Sequence, residues 1–164
     1  MLNPVRRSCS LFFLSVGALL LACASNPRLV SLAIRPVEDT VMLQRQSDKT
    51  SFKVTAVLRN FDSRPLQVLH CGTEAQRQIE GQWVTVFVPV CALDASSRLA
   101  PGDSVVIPVE VFGLSAQNAS PHLDPRMTSG RYRLRFGIGI GDFSLAGHSS
   151  SISPIASSPF TVMD

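Results

Sequence analysis

The stretch "SFKVTAVLRN", Ser51 to Asn60, decides the fold. Phe52, Val54, Ala56 and Leu58 alternate with Lys53, Thr55, Val57 and Arg59. Successive side chains of an extended strand point to opposite faces, so this order predicts a strand with one face on a core and one in solvent. No stretch in the chain has a convincing helical repeat.

The same pattern recurs outward from this strand. Residues 60–65 have the composition of a turn, and Leu66 to Cys71 form a second strand. Ile79-Glu80-Gly81-Gln82-Trp83 reads as a tight hairpin, from which Trp83 to Val90 runs back as a strand. Pro89 stands near its end, where a missing N–H does least harm. Ala100-Pro101-Gly102-Asp103 is another turn, and Ser104 to Phe112 a strand rich in valine and isoleucine. Tyr132, Leu134, Phe136 and Ile138 then face one way, and Arg131, Arg133 and Arg135 the other. Pro159 to Met163 is the last strand; Leu29 to Ile34 is an early one, with a second piece at Val41 to Gln44. About seven or eight short strands separated by turns predict an all-β, antiparallel β-sandwich in one domain. Trp83 is expected in its core. Residues 115–129 and 142–158 read as long connections, the second rich in serine, and composition does not say whether they are functional or disordered.

"LAPGDSVVIPVEV" (99–111), "SGRYRLRFGI" (129–138) and "SPFTV" (158–162) resemble the last three strands of bacterial immunoglobulin-like domains. In that family a Pro-Gly turn opens one strand and a Gly-x-Tyr opens the next, the tyrosine packing at a corner. The resemblance covers roughly residues 28–164, matches Tyr132 to that position and implies an immunoglobulin-like sandwich. Such sandwiches host many roles, so it leaves function open.

"ALLLACASNP" (18–27) bears on location. Met1 to Arg7 contain two arginines and no acid, and Leu11 to Ala22 form an almost unbroken apolar run of 12 residues. A membrane-spanning helix needs about 20, so the segment reads as a signal peptide. Arg6-Arg7 also begin a twin-arginine pattern, but Ser8-Cys9-Ser10 follow where that motif has a bulky apolar residue, which favours ordinary secretion. Leu20-Leu21-Ala22-Cys23 resembles the lipobox of bacterial lipoproteins. The resemblance implies a signal peptide over residues 1–22, cleavage before Cys23, a lipid on its sulfur and a short tether over 23–27. Two or more acyl chains hold a protein stably in a membrane. Ala24, in place of the aspartate that favours retention in the inner membrane, implies the outer membrane facing the periplasm. The alternative is a soluble secreted protein in which Cys23 is incidental.

Removing Arg6 and Arg7 leaves 13 basic against 12 acidic residues, which is no electrostatic footprint for nucleic acid. Of the four cysteines, Cys9 falls in the signal peptide and Cys23 at the lipidation position. Cys71 and Cys91 remain, and in an oxidising compartment they read as a disulfide, with two buried thiols as the alternative. No metal-ligand spacing appears among His70, His122, His148 and these cysteines, and no metal or cofactor is expected. "GIGIGD" (137–142) lacks the lysine and helix of a phosphate loop. No nucleophile elbow or triad is evident, so the chain is expected not to be an enzyme. Arg131, Arg133 and Arg135 are either a candidate anion-binding surface, for lipid headgroups or acidic envelope polymers, or a solvated charge row.

The expected function is therefore a non-enzymatic, lipid-anchored binding or scaffolding module of the bacterial envelope. Its partners would be the membrane, through the anchor, and an envelope protein or polymer. The alternative is a proteinase inhibitor. "RPLQVLHCG", "EGQWVTVF", "APGDS" and "SGRYRLRF" distantly resemble a bacterial inhibitor sandwich family, although His70-Cys71-Gly72 stands where that family has Ser-Gly-Gln before an aromatic.

Overall fold

The computed structural model describes residues 30–89, 96–114, 129–140 and 152–164. The chain divides into two compact units, Met1–Val30 and Ser31–Asp164. The first, apart from Val30, lies outside the described residues, and with it Cys23 and the expected signal peptide.

The second unit is an all-β sandwich. Its strands are β1 (Leu32–Pro36), β2 (Thr40–Met42), β3 (Gln44–Arg45), β4 (Lys49–Asn60), β5 (Leu66–Ile79), β6 (Gln82–Phe87), β7 (Ser96–Leu99), β8 (Ser104–Leu114), β9 (Gly130–Ile140), β10 (Ser153–Ala156) and β11 (Phe160–Met163). In one sheet β4 is central, with β8 along one side and β1 and β3 sharing the other. The second sheet runs β2-β11-β9-β5-β6, with β10 also on β9 and β7 also on β5. All pairings are antiparallel except that of β2 with β11. The first strands therefore change sheet: β1 pairs with β4, and a few residues later β2 lies parallel to β11 in the opposite layer.

The alternation read from the sequence sets the core. Phe52, Val54, Ala56 and Leu58 on β4 face Tyr132, Leu134, Phe136 and Ile138 on β9, and all eight are buried. Phe52 joins the layers: its ring meets Tyr132 edge-on at 5.1 Å and Phe160 at 6.1 Å. A second inter-sheet contact pairs Phe87 of β6 with Phe112 of β8 at 5.4 Å. Aromatic pairs at these separations prefer such tilted geometry and add to area burial. Pro108 lies in β8, which in its sheet pairs only with β4 among the described residues, and an edge strand is where a proline is tolerated.

Among the described residues, the eleven segments already exceed the seven or eight expected. The early region splits into three because it crosses between sheets. β7 has the sequence Ser-Ser-Arg-Leu, without a readable alternation, and takes its strand form from pairing with β5. Ser153–Ala156, inside the expected 142–158 connection, adds β10 to β9. β5 continues eight residues beyond Cys71, to Ile79. The polar run hid this extension: Glu74 and Gln76 stand on the outer face with the arginines, and of the residues opposite the buried face of β9 only Ala75 is apolar, Arg77 being the other. The other residues of the two expected connections, 115–128 and 142–151, lie outside the described part.

The hairpin between β5 and β6 falls where expected. Ile79 pairs with Gln82, and Glu80 and Gly81 form the two-residue loop with φ of 49° and 81°. Positive φ at both positions is the signature of the primed turn whose twist suits a hairpin.

Candidate functional site

The outer face of the β9 sheet carries the arginine stripe and the polar half of β5. Antiparallel register places Arg135 opposite Glu74 and Arg133 opposite Gln76, while Gln76 lies opposite Thr85 on its other side. Residues directly opposite on one face are close enough to interact. Arg133 Nε donates to Gln76 Oε1 at 2.8 Å, and Gln76 Nε2 donates to the Thr85 hydroxyl at 3.2 Å. The Thr85 hydroxyl donates to Glu74 Oε2 at 3.2 Å, and the same carboxylate forms an ion pair with Arg135 at 3.4 Å. The Arg133 guanidinium lies over the Trp83 ring, 4.5 Å from its centroid.

Trp83 is therefore not a core residue: it is half-buried on the outer face, beneath an arginine. A bulge explains the difference. Gln76 pairs with Thr85 but Ala75 pairs with Phe87, so β6 has one extra residue at Val86. A one-residue slip exchanges faces. Phe87 turns into the core, and Thr85 and Trp83 stay outside. A single-sequence alternation from Trp83 to Val90 has no signal for such a slip.

The three arginines differ in surroundings. Arg131 is exposed, whereas Arg133 and Arg135 are half-buried in the ladder just described. Partial burial, and secondarily the like charge of Arg135, lowers the Arg133 guanidinium from its ordinary range. It remains a cation at neutral pH. The face thus joins an aromatic ring, two amide or hydroxyl groups and one neutralised arginine, with Arg131 projecting beyond them. Such a surface can hydrogen-bond and stack more readily than it can attract anions as a uniform positive row.

Cys71 lies where β5 loses register with β9. Leu69 pairs with Gly137 and Glu74 with Arg135, so His70 to Thr73 stand opposite Phe136 alone. The backbones approach closely there: a Cβ on Gly72 would lie 3.3 Å from the Gly137 Cα. The Cys71 sulfur is disulfide-bonded, and its partner lies outside the described residues, as does Cys91. His70 Nε2 is 2.8 Å from the Ser97 hydroxyl of β7. His122 and His148 are outside the described part, and among the described residues no three His, Cys, Asp or Glu side chains converge as a metal site. His70-Cys71-Gly72, the segment on which the resemblance to inhibitors depends, is an irregular part of β5 between its two stretches of pairing with β9 and adjoining the β7 pairing.

A second structured feature is the turn between β4 and β5. Asn60 is fully buried, and its amide nitrogen donates to the Arg64 carbonyl at 2.9 Å and the Leu99 carbonyl at 3.0 Å. Its side-chain oxygen accepts from the Asp62 N–H at 2.8 Å. Asp62 in turn accepts twice from the Arg64 guanidinium, at 2.8 Å each, and this partner holds its carboxyl well below the usual carboxylate range. The sequence reading identified a turn here but no network, because Asn60 finds Leu99 only through the tertiary fold.

No protein-family model matches the chain, and no curated protein matches it. Similar solved structures include an ApaA protein from Bordetella pertussis, with 18% identity, a TM-score of 0.41 and coverage of 81% of this chain and 89% of that one. A protein from Archaeoglobus fulgidus has 14% identity, a TM-score of 0.38 and coverage of 80% and 94%. The β-glucosidase EmGH1 from Erythrobacter marinus has 15% identity and a TM-score of 0.38, over 82% of this chain but 16% of the glucosidase. These likenesses assign no activity to the chain.

Proposed function

We propose that this chain is a non-enzymatic, lipid-anchored β-sandwich of the bacterial cell envelope that binds or scaffolds a partner at the membrane holding Cys23. The observation that carries the reading is Leu20-Leu21-Ala22-Cys23 at the end of an apolar run of 12 residues, too short to span a bilayer. The β-sandwich unit starting at Ser31 fits a globular module carried by such an anchor. Its strand order supports an immunoglobulin-like assignment: β1, β4 and β8 take the places of strands A, B and E, and β11, β9, β5 and β6 those of G, F, C and C′. Tyr132, third residue of β9, is near the start of strand F, where a corner tyrosine belongs. Placement in the outer membrane, facing the periplasm, follows from Ala24. The outer face bearing Arg131, Arg133 and Trp83 is the proposed binding surface, for an envelope protein or polymer.

Metabolic labelling with a fatty acid tests the anchor. The wild type should carry label, and Cys23→Ser should accumulate as an unlabelled, uncleaved precursor. An unlabelled wild type would refute the lipoprotein reading.

A further inference from the structure

We infer that the end of the sandwich at which the tether joins docks on the bilayer that holds the lipid, through Phe61 and Arg59. The inference rests on lipidation of Cys23. Seven residues lie between Cys23 and Ser31, and the eight residue steps, fully extended, span about 28 Å at most. The Ser31 end of the domain is thereby confined near the headgroups.

The residues at that end are identified by register. Leu32, at the start of β1, pairs with Asn60 at the end of β4, and Arg59 pairs with Ser104 at the start of β8. The Phe61 N–H donates to the Ser31 carbonyl at 2.9 Å, so the chain coming from the tether is bonded to this turn. Phe61 is 56% exposed and is the one exposed aromatic side chain among the described residues. The Arg59 guanidinium lies 5.1 Å from its ring centroid.

The turn displaying this ring is rigidly built. Beyond the Asn60 and Asp62 contacts described above, Asn60 N–H donates to the Asp103 carbonyl at 3.0 Å, and Gly102 N–H to the Asn60 carbonyl at 2.9 Å. Two turns are thus tied together around a buried asparagine, with the aromatic ring left outside. The charges here nearly cancel: Arg59 and Arg64 face Asp62 and Asp103, with Asp62 already paired to Arg64. The fit is to the boundary between headgroups and acyl chains, where an aromatic ring takes the apolar side and an arginine snorkels to phosphate. One exposed ring binds a free membrane weakly. A short tether makes the contact intramolecular, and a weak contact then suffices.

The opposite end contains an internal reference. Trp83, the single tryptophan, pairs with Gln78 near the Ile79 end of β5, a strand of 14 residues. Along β9, Leu66 and Arg77 stand opposite Ile140 and Tyr132, so at about 3.3 Å per β9 residue Trp83 lies roughly 30 Å along the strand direction from the Phe61 end. The experiment uses full-length lipidated protein in vesicles of phosphatidylethanolamine and phosphatidylglycerol brominated high on their acyl chains. Fluorescence of the wild type is compared with that of Phe61→Trp. The tryptophan introduced at position 61 should be quenched on the order of twofold, as for a ring within the interfacial layer, while Trp83 keeps its emission. Hydrogen exchange on the unsubstituted protein gives a second reading: residues 61–65 should exchange more slowly on vesicles than in unlipidated protein expressed from Ala24 onward and free in solution. Failure of the wild type to float with vesicles overturns the anchor and the docking together. Flotation with position 61 unquenched, with Trp83 quenched as strongly, or with unchanged exchange at 61–65 overturns the docking alone.

Discussion

Raising the pH tests the packing of the core through one group. Tyr132 is the only tyrosine in the chain, so phenolate absorbance reports it alone. Its ring is fully buried between the sheets, 5.1 Å from Phe52 and stacked on Phe160 at 6.1 Å. Burial disfavours the phenolate and pushes its pKa from 10.0 to about 12, with the nearby Arg77 charge opposing this in part. A folded-state value above the unfolded one contributes stability that is fully present below pH 10 and is lost as pH rises toward 12. Two units correspond to roughly 2–3 kcal/mol, a sizeable share of the stability of a small domain. Titration in the near ultraviolet should show a midpoint close to 10 in denaturant. Native protein should show one well above 10, or a steep rise in phenolate together with unfolding. Circular dichroism on the same samples separates the two. A reversible native midpoint near 10, with the fold intact, would show that Tyr132 is solvated and that the inter-sheet contact is misassigned.

Three further outcomes follow from the outer face and the hairpin. Arg131→Gln should leave stability unchanged within about 0.5 kcal/mol, whereas Arg133→Gln should cost about 0.5–1 kcal/mol and shift Trp83 emission, because only Arg133 stacks on the ring; equal effects in thermal melts would contradict the ladder. Cys71 and Cys91 should resist alkylation in protein denatured without reductant, and mass spectrometry showing both alkylated would refute the bridge. Glu80→Asn should stabilise the protein by up to about 1 kcal/mol in denaturant titration, since Glu80 holds a φ of 49° that asparagine tolerates better and Asn-Gly favours this turn.

The sequence by itself determined the class of fold. Alternation in Ser51–Asn60 and Arg131–Ile138 depends on chain geometry alone, so the buried faces of β4 and β9 were readable in isolation. The same holds for the Glu80-Gly81 turn, whose backbone demands glycine. The expected lipid site is likewise a local pattern, read by export machinery before any fold exists. The tertiary structure decided what depends on partners distant in sequence. β7 and β10 are strands because β5 and β9 offer them hydrogen bonds, not because of their own side chains. The bulge at Val86 moved Trp83 from the expected core to the outer face. Cross-strand register then turned a row of three arginines into one exposed cation and two bound ones, since Glu74 and Gln76 lie some 60 residues earlier in the chain. Asn60 shows the same limit: its polar side chain suggested only a turn, and burial against Leu99, 39 residues away, made it the anchor of one end of the sandwich.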